Sequence, residues 1–353
     1  MPIPTHTNPP APLPSTVIED SAMLASTPES ESPHIMQCME IWGGNGVVER
    51  VATMPGVDMW VYARPHQGAN AGGDIHYISS CGTGRIGRVI LADVSGHGGS
   101  AADLAIKLRD IMRRFVNYVE HGPLVSRLNR EFGTEAKLGK FATAIVATYF
   151  APSSVLVLCN AGHPRPLVYS TRTGRWRILT SEEQSSSASS NISNAPLGVI
   201  DDSQYHADAL RMSDGDIVIL YTDALMEAHP PAGRMLGEQG LLQIIERLDR
   251  SSPETLAQRL IASVREYAGG GELDDDSTVL VLQINSRPTK YSLAERVRAN
   301  VRFLAMFGGW FLGRGSAPWP ELSRANILGA IVPWVSREYR TDATINGDEP
   351  APR

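Results

Sequence analysis

The chain has 353 residues, 42% of them hydrophobic and 20% charged, and a formal net charge of −6. That apolar content can build a packed core and excludes a disordered polymer, and the length allows one large domain or two small ones. The charge is uneven: residues 286–340 sum to +6 and residues 341–353 to −2, leaving −10 on residues 1–285, which argues against nucleic acid as the partner of the body.

Residues 1–34 are rich in Pro, Ser and Thr and are expected to form a disordered tail. Order is expected from residue 35. Residues 59–64 form a strand pattern ended by Pro65, and Gly72-Gly73-Asp74 leads into a second strand over residues 75–80. Gly82-Thr83-Gly84-Arg85-Ile86-Gly87 spells a dinucleotide-binding pattern, but a strand follows it rather than a helix, so it reads as a hairpin loop. The strand after it, residues 88–92, delivers Asp93 to a turn, Val94-Ser95-Gly96-His97-Gly98. Apolar spacing then predicts an amphipathic helix over residues 101–119 and a shorter one over 123–132.

Hairpin patterns dominate the next stretch, with strands at residues 142–150, 154–159, 166–170 and 176–179. Residues 181–194 are Ser-rich and read as a long loop, either a surface excursion or a flap. A strand over 216–221 ends in Thr222-Asp223, helices are expected over 238–248 and 253–267, and Asp274-Asp275-Asp276 precedes a last strand over 279–283. Residues 286–340 form a basic amphipathic helical arm. Packing on the domain or in a homodimer is one reading of that arm, and contact with a membrane surface is another. Residues 341–353 are expected to be a disordered tail. The three scattered cysteines, Cys38, Cys81 and Cys159, make neither a disulfide framework nor a zinc site. With no signal-peptide pattern and no apolar run near the roughly 18 residues of a membrane span, a cytoplasmic location is expected.

Four acids stand at strand ends: Asp74, Asp93, Asp223 and Asp275. Asp74 opens a strand and Asp93 closes its antiparallel neighbour, and such partners lie about 5 Å apart. Two bare carboxylates that close repel each other, and a bound cation removes the conflict. An all-oxygen donor set suits Mg²⁺ or Mn²⁺ rather than Zn²⁺, and two such ions sharing a carboxylate can activate water for attack on phosphorus. If the strands carrying Asp223 and Asp275 also pair antiparallel, those two acids converge as well.

The motifs Gly72-Gly73-Asp74, Asp93-Val94-Ser95-Gly96-His97-Gly98, Asn160-Ala161-Gly162-His163-Pro164, Pro196-Leu197-Gly198, Tyr221-Thr222-Asp223-Ala224-Leu225-Met226-Glu227-Ala228 and Asp275-Asp276-Ser277-Thr278 follow one another in this order. Together they resemble the SpoIIE-type (RsbU-like) branch of the metal-dependent PPM protein serine/threonine phosphatases. The resemblance implies an α+β fold over residues 35–285: a four-layer αββα sandwich of two antiparallel sheets flanked by helices. It implies hydrolysis of phosphoserine or phosphothreonine on a regulatory protein, which in many bacterial members is an anti-sigma-factor antagonist in a partner-switching or stress pathway. It also implies two Mn²⁺ or Mg²⁺ ions, bridged by Asp93. Asp74 and the Val94 carbonyl would serve one ion and Asp223 and Asp275 the other, with Asp276 and His97 in support.

Two departures from the family pattern stand out. The family's Thr-Asp-Gly is here Thr222-Asp223-Ala224, which requires a negative φ at Ala224. No arginine matches the phosphate-binding arginine of the eukaryotic relatives. A catalytically silent phosphoprotein-binding module and a hydrolase of a small phosphate ester stand as alternative readings.

Overall fold

The computed structural model describes residues 34–36, 41–80, 86–96, 98–115, 118, 120–136, 139–180 and 194–285. The expected tails, the basic arm, the loop at 81–85, the Ser-rich loop up to residue 193 and His97 lie outside the described residues.

The first half of the chain forms β1 (His34–Ile35), β2 (Ile41–Gly46), β3 (Val48–Met54), β4 (Val57–Arg64), β5 (Ala71–Ser80) and β6 (Ile86–Val94), then α1 (Gly99–Phe115) and α2 (His121–Glu135). After them come β7 (Ala142–Phe150), β8 (Val155–Ala161), β9 (Leu167–Ser170), β10 (Arg175–Ile178), β11 (Ala207–Arg211) and β12 (Ile217–Tyr221). The short α3 (Ala224–Glu227), α4 (Gly237–Arg247), α5 (Leu256–Tyr267) and β13 (Ser277–Ile284) complete the described chain.

The strands form two sheets. One has seven strands in the order β1–β3–β4–β13–β12–β9–β10, and the other six in the order β11–β8–β7–β6–β5–β2. Every pair of strands is antiparallel except β1 with β3. Strand β1 includes His34, whose register partner is Ala52.

Alternation along the strands sorts side chains into layers. In β6, Ile90, Ala92 and Val94 pack with Leu104, Leu108 and Met112 of α1 and Leu124 and Leu128 of α2. Val89 and Leu91 face the other way, into a core shared with Val218 and Leu220 of β12 and Leu280 and Leu282 of β13. The outer face of the seven-stranded sheet, including Ile219, Val279 and Val281, is covered by Leu241 and Ile245 of α4 and Leu260 and Val264 of α5. The order of layers is therefore helix, sheet, sheet, helix, as the motif resemblance implied.

The helices fold as their periodicity predicts. In α1 the buried residues Ala101, Leu104, Ala105, Leu108, Ile111, Met112 and Phe115 recur every three or four positions, which puts them on one face. Four strands have no counterpart in the sequence reading, the two-residue β1 among them. Strand β2 is Ile-Trp-Gly-Gly-Asn-Gly, and its glycines read as a loop. Strands β3 and β11 have a polar or charged residue at several positions, and their pairing partners, rather than their composition, make them strands.

Candidate metal centre

Asp74 and Asp93 are direct register partners across β5 and β6. By alternation Asp93 shares a face with Val89 and Leu91, and Asp74 shares one with Ile78, the face turned toward the second sheet. Both carboxylates therefore point into the seam between the sheets at one end of the sandwich. Thr222 just beyond β12 and Thr278 in β13 lie in step with Leu220 and Leu280, so they point into the same seam from the opposite sheet.

The two sheets are joined there by hydrogen bonds. The Thr222 hydroxyl donates to Asp74 Oδ2 at 2.8 Å, and the Thr278 N–H donates to Thr222 Oγ1 at 2.9 Å. Asp74 Oδ1 is buried and, among the described residues, has no hydrogen-bond partner. Burial first, and the Asp93 charge second, push the Asp74 carboxyl well above the usual carboxylate range.

Asp93 is pushed up to about 8, chiefly by burial and then by Asp223, Asp275, Asp276 and Glu227. Asp223 is pushed up to about 6, by burial and then by Glu227 and Asp275. Acids from both sheets thus act on one another across the seam. Glu227 was not singled out in the sequence, although it stands one helical turn after Asp223, close enough to face it. Ala224 opens α3 and is not among the described non-glycine residues with a positive φ, so the missing glycine costs no strain.

Asp276 has a different task from the other acids. Its Oδ1 accepts from the His66 N–H at 2.6 Å and its Oδ2 from the Gly73 N–H at 2.5 Å. It fastens the loop after β4 and the start of β5 to the start of β13. The paired glycines before Asp74 follow from this crowding: a side chain on Gly72 would strike the Asp276 carboxylate, and one on Gly73 would lie 2.8 Å from the Val94 carbonyl oxygen.

His163 lies in a loop closed by its own neighbours, since its N–H donates to Asn160 Oδ1 at 2.7 Å and its carbonyl accepts from Asn160 Nδ2 at 2.9 Å. Its Nδ1 lies 2.8 Å from the hydroxyl of Thr143, the register partner of Asp93. Burial lowers its pKa to about 3, so it is a neutral scaffold residue at physiological pH. Arg64 pairs with Glu49 at 2.9 Å and lies over the Tyr62 ring. Among the described residues no ion pair joins a basic side chain to Asp74, Asp93, Asp223 or Asp275.

Among the described residues no three His, Cys, Asp or Glu side chains already stand close enough together to hold an ion. The acids form an open, mutually repelling rim. Its all-oxygen donors and the unpartnered Asp74 Oδ1 fit a hard divalent cation, whose charge would relieve that repulsion.

The family model described as Stage II sporulation protein E (SpoIIE) matches residues 84–285. The chain belongs to the SpoIIE family. SpoIIE proteins are metal-dependent protein serine/threonine phosphatases of the PP2C type, and solved structures similar to this one share that fold. The RsbU and RsbW domains of a Mycobacterium tuberculosis protein are 22% identical, with a TM-score of 0.54 over 74% of this chain and 72% of that one. The SiaA-PP2C domain of Pseudomonas aeruginosa is 15% identical, with a TM-score of 0.53 over 64% of this chain and 85% of that one. The PP2C phosphatase domain of the cell fate determinant SpoIIE from Bacillus subtilis, with a fragment of its regulatory domain, is 14% identical, with a TM-score of 0.52 over 70% and 64%. No curated protein sequence matches the chain. Among the described residues no helix is long and apolar enough to cross a membrane.

Proposed function

We propose that this SpoIIE-family chain removes phosphate from serine or threonine of a regulatory protein in a cytoplasmic, bacterial partner-switching pathway. In this reading Asp74, Asp93, the Val94 carbonyl, Asp223 and Asp275 hold two Mn²⁺ or Mg²⁺ ions. The observation that carries it is the in-register pair Asp74 and Asp93, faced across the seam by acids of the other sheet. When bound, the ions lower the pKa of water and neutralise phosphate oxygens.

The protein's own groups divide the remaining work. Thr222 occupies Asp74 Oδ2 and so leaves Oδ1 free for a ligand. Asp276, with both oxygens on backbone N–H groups, holds the two sheets at the spacing the acids need. Water is the fitting nucleophile. His163 is neutral and bonded to Thr143, and the buried Cys159 thiol is pushed up to about 12. A protein substrate suits an open rim at the end of a sandwich. The match to a chain carrying both RsbU and RsbW domains supports a partner-switching role.

The test is turnover of a phosphoserine and phosphothreonine peptide pool by wild type and Asp93→Ala, each with Mn²⁺ and with EDTA. Mn²⁺-dependent release of phosphate that is lost in the variant is expected. Mn²⁺ binding without turnover of any phosphopeptide would favour the silent binding module, and turnover of small phosphate esters alone would favour the third reading.

A further inference from the structure

We propose that Lys140 is a positioning residue for the metal centre, locking the Ser95 carbonyl and so steadying the neighbouring peptide that aims the Val94 carbonyl at the site. The inference rests on the phosphatase reading in taking that carbonyl as a ligand.

The argument starts at the end of the β6–β7 ladder, where Val94 is paired with Ala142. The next N–H, that of Ser95, donates to the Phe141 carbonyl at 2.9 Å. A trans peptide is planar, with its C=O opposite its N–H. Holding the Ser95 N–H against Phe141 therefore turns the Val94 carbonyl the other way, toward β5. There it stands over Gly73, next to Asp74, so close that a Cβ on Gly73 would lie 2.8 Å from it.

Two further bonds hold Ser95. The Phe141 N–H donates to Ser95 Oγ at 3.0 Å, and the Lys140 ammonium donates to the Ser95 carbonyl at 2.9 Å. Ser95 is thus gripped at its N–H, its hydroxyl and its carbonyl by two consecutive residues. Lys140 supplies the only one of these bonds that depends on the identity of a residue in the 140–141 segment. The chain then turns at Gly96 with φ +89°, and a Cβ there would lie 2.5 Å from Lys140 Nζ. The ammonium fills the space that a side chain at position 96 would need.

Among the described residues Lys140 has no carboxylate partner. Its ordered contact is this backbone carbonyl, one residue beyond the Val94 ligand. A long flexible side chain gives up rotamer freedom to make that bond. The return is a fixed direction for the Val94 oxygen before any ion arrives.

The experiment measures Mn²⁺ affinity by calorimetry on the substrate-free full chain, for wild type, Lys140→Met, Lys140→Arg and Asp93→Ala. Lys140→Met should weaken Mn²⁺ binding by roughly 10–100-fold, the range for groups that orient ligands without touching the ion. Lys140→Arg, which can donate to the same carbonyl, should recover most of that loss. At saturating Mn²⁺ the phosphopeptide KM of Lys140→Met should match wild type, with the deficit in kcat. Wild-type Mn²⁺ affinity in Lys140→Met would overturn the inference, and a raised KM beside it would make Lys140 a substrate contact instead. If wild type itself binds no Mn²⁺, or binds it no better than Asp93→Ala, the metal reading fails and takes the inference with it.

Discussion

The two pairs of acids are built in opposite ways. Asp74 and Asp93 form the end pair of a continuous ladder, opposite each other and facing a packed core, with Asp74 buried. Asp223 and Asp275 stand outside their strands, one leading into a four-residue helix and the other exposed in the loop before β13. The first pair is held by register and by burial, so its charges are costly and its geometry is fixed. The second is held by short connections that water reaches, so its charges cost less and its geometry can adjust. A centre of this kind has one rigid wall and one adaptable wall.

Replacing one acid from each wall should separate the two roles. Asp74→Ala and Asp275→Ala should each lower Mn²⁺-dependent turnover by more than the roughly 100-fold seen for groups behind a ligand. Asp74→Ala should lower the melting temperature more than Asp275→Ala, because it strips the Thr222 hydroxyl of its acceptor inside the seam, whereas Asp275 accepts from the partly buried Asp276 N–H. Equal melting curves for the two variants would erase the distinction.

Asp276→Ala comes next, since it orphans the N–H groups of His66 and Gly73 together. A buried donor without a partner costs about 1–3 kcal/mol, so denaturant unfolding should show a loss of that order or somewhat more. Thr222→Val removes the donor to Asp74 Oδ2 and the acceptor of the Thr278 N–H, and should cost about 1–3 kcal/mol in the same assay.

The smallest effect is a pH slope. Burial holds the folded pKa of His163 at about 3, below its ordinary value of about 6.5. In that interval the unfolded chain binds the extra proton, so the stability His163 contributes is complete above about pH 6.5 and is lost as pH falls toward about 3. His163→Gln should lack this loss. Wild-type stability minus variant stability should fall by up to about 1.4 kcal/mol per pH unit below about pH 6 and stay level above about pH 7.

Much of the rigid wall could be read from the chain. A strand that Asp74 opens and an antiparallel neighbour that Asp93 closes, with a hairpin between them, placed the two carboxylates together at one end of the sheet. The structure makes them direct partners. Asp276 read only as a supporting acid, because nothing in Asp274-Asp275-Asp276 says which member turns inward. Its position in step with Thr278 and Leu280 puts it in the seam. Lys140 carried no signal of its own, and Thr222 only that of its place in the motif beside Asp223. Each acts through a partner far away in sequence, Thr222 through Asp74 and Lys140 through Ser95.

The sequence by itself determined most of the strands, the longer helices, the hairpin pairing of Asp74 with Asp93 and the family, because these depend on local periodicity and on short motifs. The tertiary structure decided how the two sheets meet. Asp74 finds Thr222 at a separation of 148 residues, and Gly73 finds Asp276 at 203. The burial of apolar faces such as Leu91, Leu220 and Leu280 against one another sets those contacts. That burial has no direction of its own, so only the packed sandwich could show which polar groups it would bring face to face.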